Sequence, residues 1–156
     1  MRLSKLAALV CGAAVVTMAL WPANAAAQAG SATAMREAGS AFLAALTPVQ
    51  RAEAVMYFDH GERFNWNESP GPRLGVVLRD LNESQQQLGM DLLRASVGEA
   101  GYHHVLASIA RELVLAATQR TPEGAAVRQP DLFYIAVFDT PSATDPLGWR
   151  VEGHHI

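Results

Sequence analysis

Cysteine and lysine are nearly missing from this 156-residue chain: each occurs once, as Cys11 and Lys5. Both fall in an amino-terminal stretch with the three parts of a secretory signal peptide. Arg2 and Lys5 precede an apolar run from Leu6 to Leu20, and Trp21-Pro22 then leads into the small residues Ala23-Asn24-Ala25-Ala26-Ala27. The run is shorter than the roughly 20 apolar residues that cross a bilayer, so cleavage after Ala25 or Ala27 is expected, with no stable membrane anchor afterwards. Val10 stands where a lipoprotein needs a small residue before its cysteine, so lipidation is not expected. The mature protein then has no disulfide, no thiol nucleophile and no thiolate ligand for an oxidising compartment. Without lysine, Schiff-base chemistry and a lysine-bearing phosphate loop are excluded as well. Losing Arg2 and Lys5 takes the basic residues from 12 to 10 against 15 acids, a net charge of about −5. An acidic balance without a basic run argues against nucleic acid as a partner. The predicted location is periplasmic or extracellular.

Half of the residues are hydrophobic, enough for one compact domain. Residues 28–35 are Ala/Gly/Ser-rich and read as a disordered linker after the signal peptide of residues 1–27. Order is expected from residue 36. Phe42, Leu43 and Leu46 share a helical face, and Thr47-Pro48-Val49-Gln50 restarts the helix with an N-cap, a proline at the first position and a capping-box glutamine. That second helix is predicted from Val49 to Phe58, with Ala52, Val55 and Met56 turned inward. Val76-Val77-Leu78 reads as a strand. A second capping box, Asn82-Glu83-Ser84-Gln85, opens a helix whose Leu88, Leu92 and Leu93 face the core until Gly98 ends it. The next helix is predicted from Tyr102 to Gln119, its apolar stripe being Tyr102, Leu106, Ile109, Leu113 and Ala116. Leu132 to Phe138 is apolar on both faces and rich in aromatic and branched residues, the pattern of a buried central strand. Residues 149–156 follow as a carboxy-terminal strand. The fold class is therefore α+β, amino-terminal helices packed on a small sheet that includes strands 132–138 and 149–156.

Two residue sets carry candidate chemistry. The first is the closing phrase Gly148-Trp149-Arg150-Val151-Glu152-Gly153-His154-His155-Ile156. In an extended strand Arg150, Glu152 and His154 share one face and His155 takes the other, so the paired histidines do not readily hold one ion together. Glu152 beside His154 can raise an imidazole's basicity, and Arg150 can hold an anionic group. Glu152, His154 and His155 are the catalytic candidates, and His154 and His155 the candidate ligands of a divalent metal, alone or with the distant His60 or Glu62. The opposing reading is a buried ion pair that supports the strand. The second set lies in the loop Glu62-Arg63-Phe64-Asn65-Trp66 to Pro72-Arg73-Leu74-Gly75. Arg63, Trp66 and Arg73, with Arg150, are the substrate-binding candidates, able to grip a carboxylate or stack on a sugar ring. Against that, the tryptophan plugs the core and each arginine bonds loop carbonyls. His103 and His104 open a helix without a partner four residues on, and no HExxH signature or G-x-S-x-G elbow is present.

Taken together, Glu62-Arg63 with Trp66, Pro72-Arg73 with Gly75, the Leu88 to Leu93 helix, Gly101-Tyr102, the Leu132 to Phe138 strand, Pro141-Ser142 and above all Gly148-Trp149-Arg150 with Glu152-Gly153-His154-His155 resemble the bacterial family known as domain of unknown function 3500. The resemblance covers the chain from about Phe42. In that family the paired histidines are followed by a further polar strand and a second half, which implies that residues 36–156 form a partial domain of a truncated chain. It brings no established activity with it. The expectation is an exported protein with no activity of its own, the alternative being a fragment of an extracytoplasmic, metal-assisted hydrolase using Glu152, His154 and His155. A missing half also predicts an uncovered sheet surface at the strand 132–138 and self-association through it.

Overall fold

The computed structural model describes residues 31–119, 127–142 and 144–156. The stretch expected to be a signal peptide, with its expected cleavage site, lies outside them. The chain divides into Met1–Ala34 and Met35–Ile156, and the second unit holds the sheet and its helices. Helix α1 covers residues 31–45, so helical structure is already present within the stretch expected as a linker. Phe42, Leu43 and Leu46 are buried at the spacing that placed them on one face.

Thr47 caps α2 (Pro48–Ala54): its hydroxyl accepts from Gln50 N at 3.3 Å, and its own N–H donates to Gln50 Oε1 at 2.9 Å. Helix α3 (Glu83–Thr118) opens on the same reciprocal arrangement between Asn82 and Gln85. The two box glutamines also bond each other through their amides, Gln50 Nε2 to Gln85 Oε1 at 3.2 Å and Gln85 Nε2 to Gln50 Oε1 at 2.9 Å. Two local capping motifs thus become one tertiary clamp.

The helix expected to reach Phe58 stops at Ala54. Val55–Met56 is instead a short strand, β1, paired parallel with β3 (Tyr134–Phe138). Branched Val55 suits a strand, and the open edge of β3 offers ladder bonds that a last helical turn cannot match. Of the predicted inward residues Val55 and Met56 are partly buried, Val55 against the core, but Ala52 is exposed and Ala54 is buried instead. A 3₁₀ turn (Gly61–Phe64) follows, then the irregular loop 65–75 and strand β2 (Val76–Val77), which is antiparallel to β3. Leu78 opens a second 3₁₀ turn. Helix α3 is broken at Gly98, whose φ of 68° and ψ of 177° are not helical.

Strand β4 (Gly148–Glu152) runs antiparallel along the whole of β3, from Tyr134 opposite Glu152 to Phe138 opposite Gly148. The other edge of β3 is shared between β2, beside Tyr134 and Ile135, and β1, beside Val137 and Phe138. The architecture is α+β, with helices on a small mixed sheet. Ile135, Ala136, Val137 and Phe138 are buried, and the core cluster joins Ile135 and Val137 to Phe42, Leu43, Leu92 and Phe133. The uncovered β3 surface expected for this chain is therefore not seen: both edges are paired and both faces are covered. The carboxy-terminal strand also ends earlier than predicted, at Glu152, where residues 153–155 turn.

Beyond Gly98 the inward stripe differs from the predicted one. Tyr102, Ile109 and Ala116 are partly buried as expected, but Leu113 is 60% exposed and the buried residue of this segment is Glu112. Among the described residues no helix is long and apolar enough to cross a membrane.

Gly75 fixes the approach of β2. Its φ is +126°, and a β-carbon there would stand 2.8 Å from the carbonyl oxygen of Ile135. Backbone atoms on β3 cannot retreat without breaking the ladder. Gly75→Ala is predicted to lower stability by about 2 kcal/mol or more, read as a lower urea midpoint; an unchanged midpoint would contradict this packing.

Candidate functional site

Glu152 ends β4 with its carboxylate fully buried. A buried carboxylate costs several kcal/mol unless positive groups and hydrogen bonds meet it, and the loop 65–75 supplies them. Oε1 accepts from the backbone N–H of Asn67 at 2.8 Å and from Arg73 Nε at 3.0 Å. Oε2 stands 2.8 Å from Arg150 Nε in an ion pair, but the angle is not that of a hydrogen bond, and this oxygen accepts no directed one. Arg150, two residues back on the same face of β4, reaches on to Glu62: Nη2 meets Glu62 Oε1 at 2.8 Å, and Nη1 donates to the carbonyls of Glu62 and Asn65 at 2.6 and 2.8 Å. Arg73 spends its other donors on the loop itself, bonding the carbonyls of Gly71 at 3.0 Å, Asn67 at 2.7 Å and Ser69. Charges thus alternate from Glu62 through Arg150 and Glu152 to Arg73, and the loop, poor in regular hydrogen bonds of its own, is shaped around them.

This network borders a cleft of about 340 Å³ lined by Glu62, Asn65, Asn67, Arg73, Leu74 and Glu152, among others. Between two of those residues Trp66 presents its ring to solvent at 64% exposure, and Phe64 is exposed nearby. The expectation that Trp66 plugs the core is overturned. Arg73 does bond loop carbonyls, as the structural reading held. Arg63 behaves otherwise: its guanidinium lies over the rings of Phe58 and Phe64 at 4.1 and 4.4 Å. Of the four substrate-binding candidates, Arg73 and Arg150 join the network, and Arg63 and Trp66 flank it.

The catalytic candidates part company at Gly153. A β-carbon there would lie 2.2 Å from the Phe133 ring, so only glycine passes this point, and the chain turns out of the strand. His155 adopts a positive φ of 62°. The two imidazoles, expected on opposite faces, consequently lie against each other, tilted by 37° with centroids 3.8 Å apart. His154 turns away from Glu152 to Glu112 of α3, its Nδ1 lying 2.6 Å from Glu112 Oε1. Arg128 Nη1 is 2.8 Å from Nδ1 and 2.7 Å from Nε2 of the same ring. An atom that near to both nitrogens cannot lie in the ring plane without striking the carbon between them, so the guanidinium caps the ring from above. Glu112 Oε2 is buried without a partner.

His60 caps the 3₁₀ turn through Nδ1, which accepts from Glu62 N at 3.1 Å. His103 and His104 are exposed on α3. Ser142 accepts from Asp145 N and donates to its carboxylate, a closed local turn. Among the described residues no three histidine, cysteine or acidic side chains converge as a cation site.

The family model described as Protein of unknown function (DUF3500) matches residues 28–156. The chain belongs to this family. Comparison with curated proteins and with solved structures finds no match. In this DUF3500 chain the closing motif is thus divided between two charged centres, and sequence reasoning missed Glu112, Arg128 and the Asn67 amide. A signal for the first was present: Tyr102, Val105, Ile109, Glu112 and Ala116 recur at steps of three and four, which sets an acid inside an apolar stripe.

Two predictions follow from the charged groups. Burial opposes ionisation of Glu62 most strongly, yet the hydrogen bond from Asn65, the hydrogen bond and charge of Arg150 and the charge of His60 together hold its pKa below the ordinary 4.5. The unfolded chain therefore takes up this proton first as pH falls. The stabilisation is complete above about pH 4.5 and is lost as pH drops through the lowered value. Urea unfolding between about pH 6 and pH 3 should show a shallower acid loss in Glu62→Gln than in the natural chain, and parallel curves would refute the linkage. For the second centre, Glu112→Leu or His154→Leu alone strands a buried polar partner and should cost about 3 kcal/mol. The double variant should recover most of that loss, since an apolar pair replaces a buried polar one. Additive losses would mean that the two side chains do not interact.

Proposed function

We propose that this DUF3500 chain is an exported ligand-binding protein, with the cleft between loop 65–75 and β4 as its site for a small polar molecule. The observation that carries this reading is the cleft itself, lined by Glu62, Arg73 and Glu152 of a pre-paired charge network and by the polar side chains of Asn65 and Asn67. A concave site with a few polar groups fixed in place is the usual form of a small-molecule site. Binding is favoured over turnover because the candidate catalytic groups are engaged elsewhere. Glu152 is committed to Arg73, Arg150 and Asn67, and His154 to Glu112 and Arg128. A hydrolytic centre that needs Glu152 and His154 on one substrate gains no support from this arrangement. Export is supported by the basic, apolar and small-residue sequence of residues 1–27.

Each half has its own test. Expressed from its full sequence in a bacterium, the protein should be recovered outside the cytoplasm with the mass of a chain cut after Ala25 or Ala27; an uncut cytoplasmic product would end the export reading. In a screen of small polar fragments by amide NMR, hits should move the resonances of Asn65, Asn67 and Leu74 together. Hits confined to other surfaces would remove the cleft as the site.

A further inference from the structure

We propose a second binding site in this chain, for a small organic cation that joins one ammonium group to an apolar body. It lies where the parallel strands β1 and β3 end side by side. Val55, Met56, Tyr57, Asp139 and Thr140 line a cavity of about 420 Å³ there, and none of them lines the cleft of loop 65–75. Its size falls within the usual range of small-molecule sites. Both chains leave the sheet at this point. Asp139 N donates to Met56 O at 2.8 Å, tying the two strand ends together; Tyr57 then enters a turn in which its carbonyl accepts from His60 N at 3.0 Å, and Asp139 bends away with a φ of 68°.

Asp139 carries the inference. It is partly buried and lines the cavity, and its carboxylate makes no hydrogen bond or ion pair with any described residue. Aspartate tolerates left-handed backbone because its side chain can bond the main chain nearby, and here the carboxylate is not used in that way. The other acids that the fold takes in are all met: Glu62 by Arg150, Glu152 by Arg73 and Arg150, Glu112 by His154. A partly buried anion without a partner is short of one positive charge.

The rest of the lining says what kind of cation fits. Tyr57 is 78% exposed, so its ring is open to a cation, while Val55 and Met56 add aliphatic and thioether surface. The Thr140 hydroxyl, also without a partner among the described residues, is a further acceptor for an ammonium N–H. One carboxylate matches one positive charge, and the apolar lining matches a hydrocarbon or aryl body. A polyamine leaves charges unmet at such a site, and an anion meets Asp139 as a like charge. The net charge of −3 on the whole chain favours a cation on approach as well.

The test is titration of the purified protein with phenethylamine, followed through the amide resonances of Tyr57, Asp139 and Thr140, with phenylethanol, phenylacetate and spermidine as comparators. Phenethylamine should move all three resonances and bind at least about tenfold more tightly than phenylethanol, its neutral counterpart. Asp139→Asn should weaken phenethylamine by about the same tenfold with the urea midpoint unchanged, since asparagine accepts left-handed backbone as aspartate does. Tyr57→Ala, at an exposed ring, should weaken it by about threefold. Equal binding of phenylethanol, or binding that Asp139→Asn leaves intact, overturns the cation. Tighter binding of spermidine or phenylacetate overturns the singly charged ligand. Phenethylamine shifts confined to other residues, or none at millimolar concentration, overturn the site; the comparison of ligands needs no variant and stands whether or not the variants fold.

Discussion

One buried carboxylate sets the terms for this end of the molecule. Glu152 sits at the close of β4 opposite Tyr134, at the covered end of the sheet, where its charge cannot be hydrated. Arg150 reaches it from two residues away but meets only Oε2, and Oε1 is served by Asn67 and Arg73 in the loop before β2. The loop therefore has to pass close to β4. Once it does, Arg73 gathers its carbonyls and Arg150 gathers those of the preceding 3₁₀ turn. An irregular segment acquires a definite shape because a strand end carries a charge that must be paired. The cleft is a by-product of that pairing, and its charge neutrality follows from the same cause.

The second charged centre does for α3 what the first does for the loop. The stretch beyond Gly98 leaves Leu106, Leu113 and Val114 exposed, so apolar burial alone holds it weakly. Ile109 packs on the core cluster, and Glu112 reaches His154 just past the end of β4. A short polar contact between a helix and a strand end is directional where apolar packing is not. Gly153, pressed against Phe133, separates the two centres, sending Glu152 one way and His154 another over two residues.

Local features were legible in the sequence, and long-range ones were not. Both capping boxes, the break at Gly98, the inward Leu92 and Leu93 and the buried strand β3 follow from patterns a few residues long. The same patterns say nothing of partners, so the amide pair between Gln50 and Gln85, some 35 residues apart, stayed hidden. Strand β1 looks helical in the sequence because two residues carry no period of their own, and only the edge of β3 decides for a strand. Trp66 departs from the usual burial of tryptophan, and it is a network of arginines and glutamates that shapes its loop.

The motifs that mark this chain as a DUF3500 member have, for the most part, a structural occupation. Glu62, Arg73, Arg150 and Glu152 neutralise one another, Gly75 admits β2 to β3, and Gly153 and His154 steer the chain toward Glu112. A charged, histidine-bearing phrase of this kind invites a catalytic reading, yet most of its chemistry is used up in holding the fold. Function is better sought among motif residues that the fold does not use. Trp66 is one such residue: it belongs to the motif, stands 64% exposed, and takes no part in the charge network.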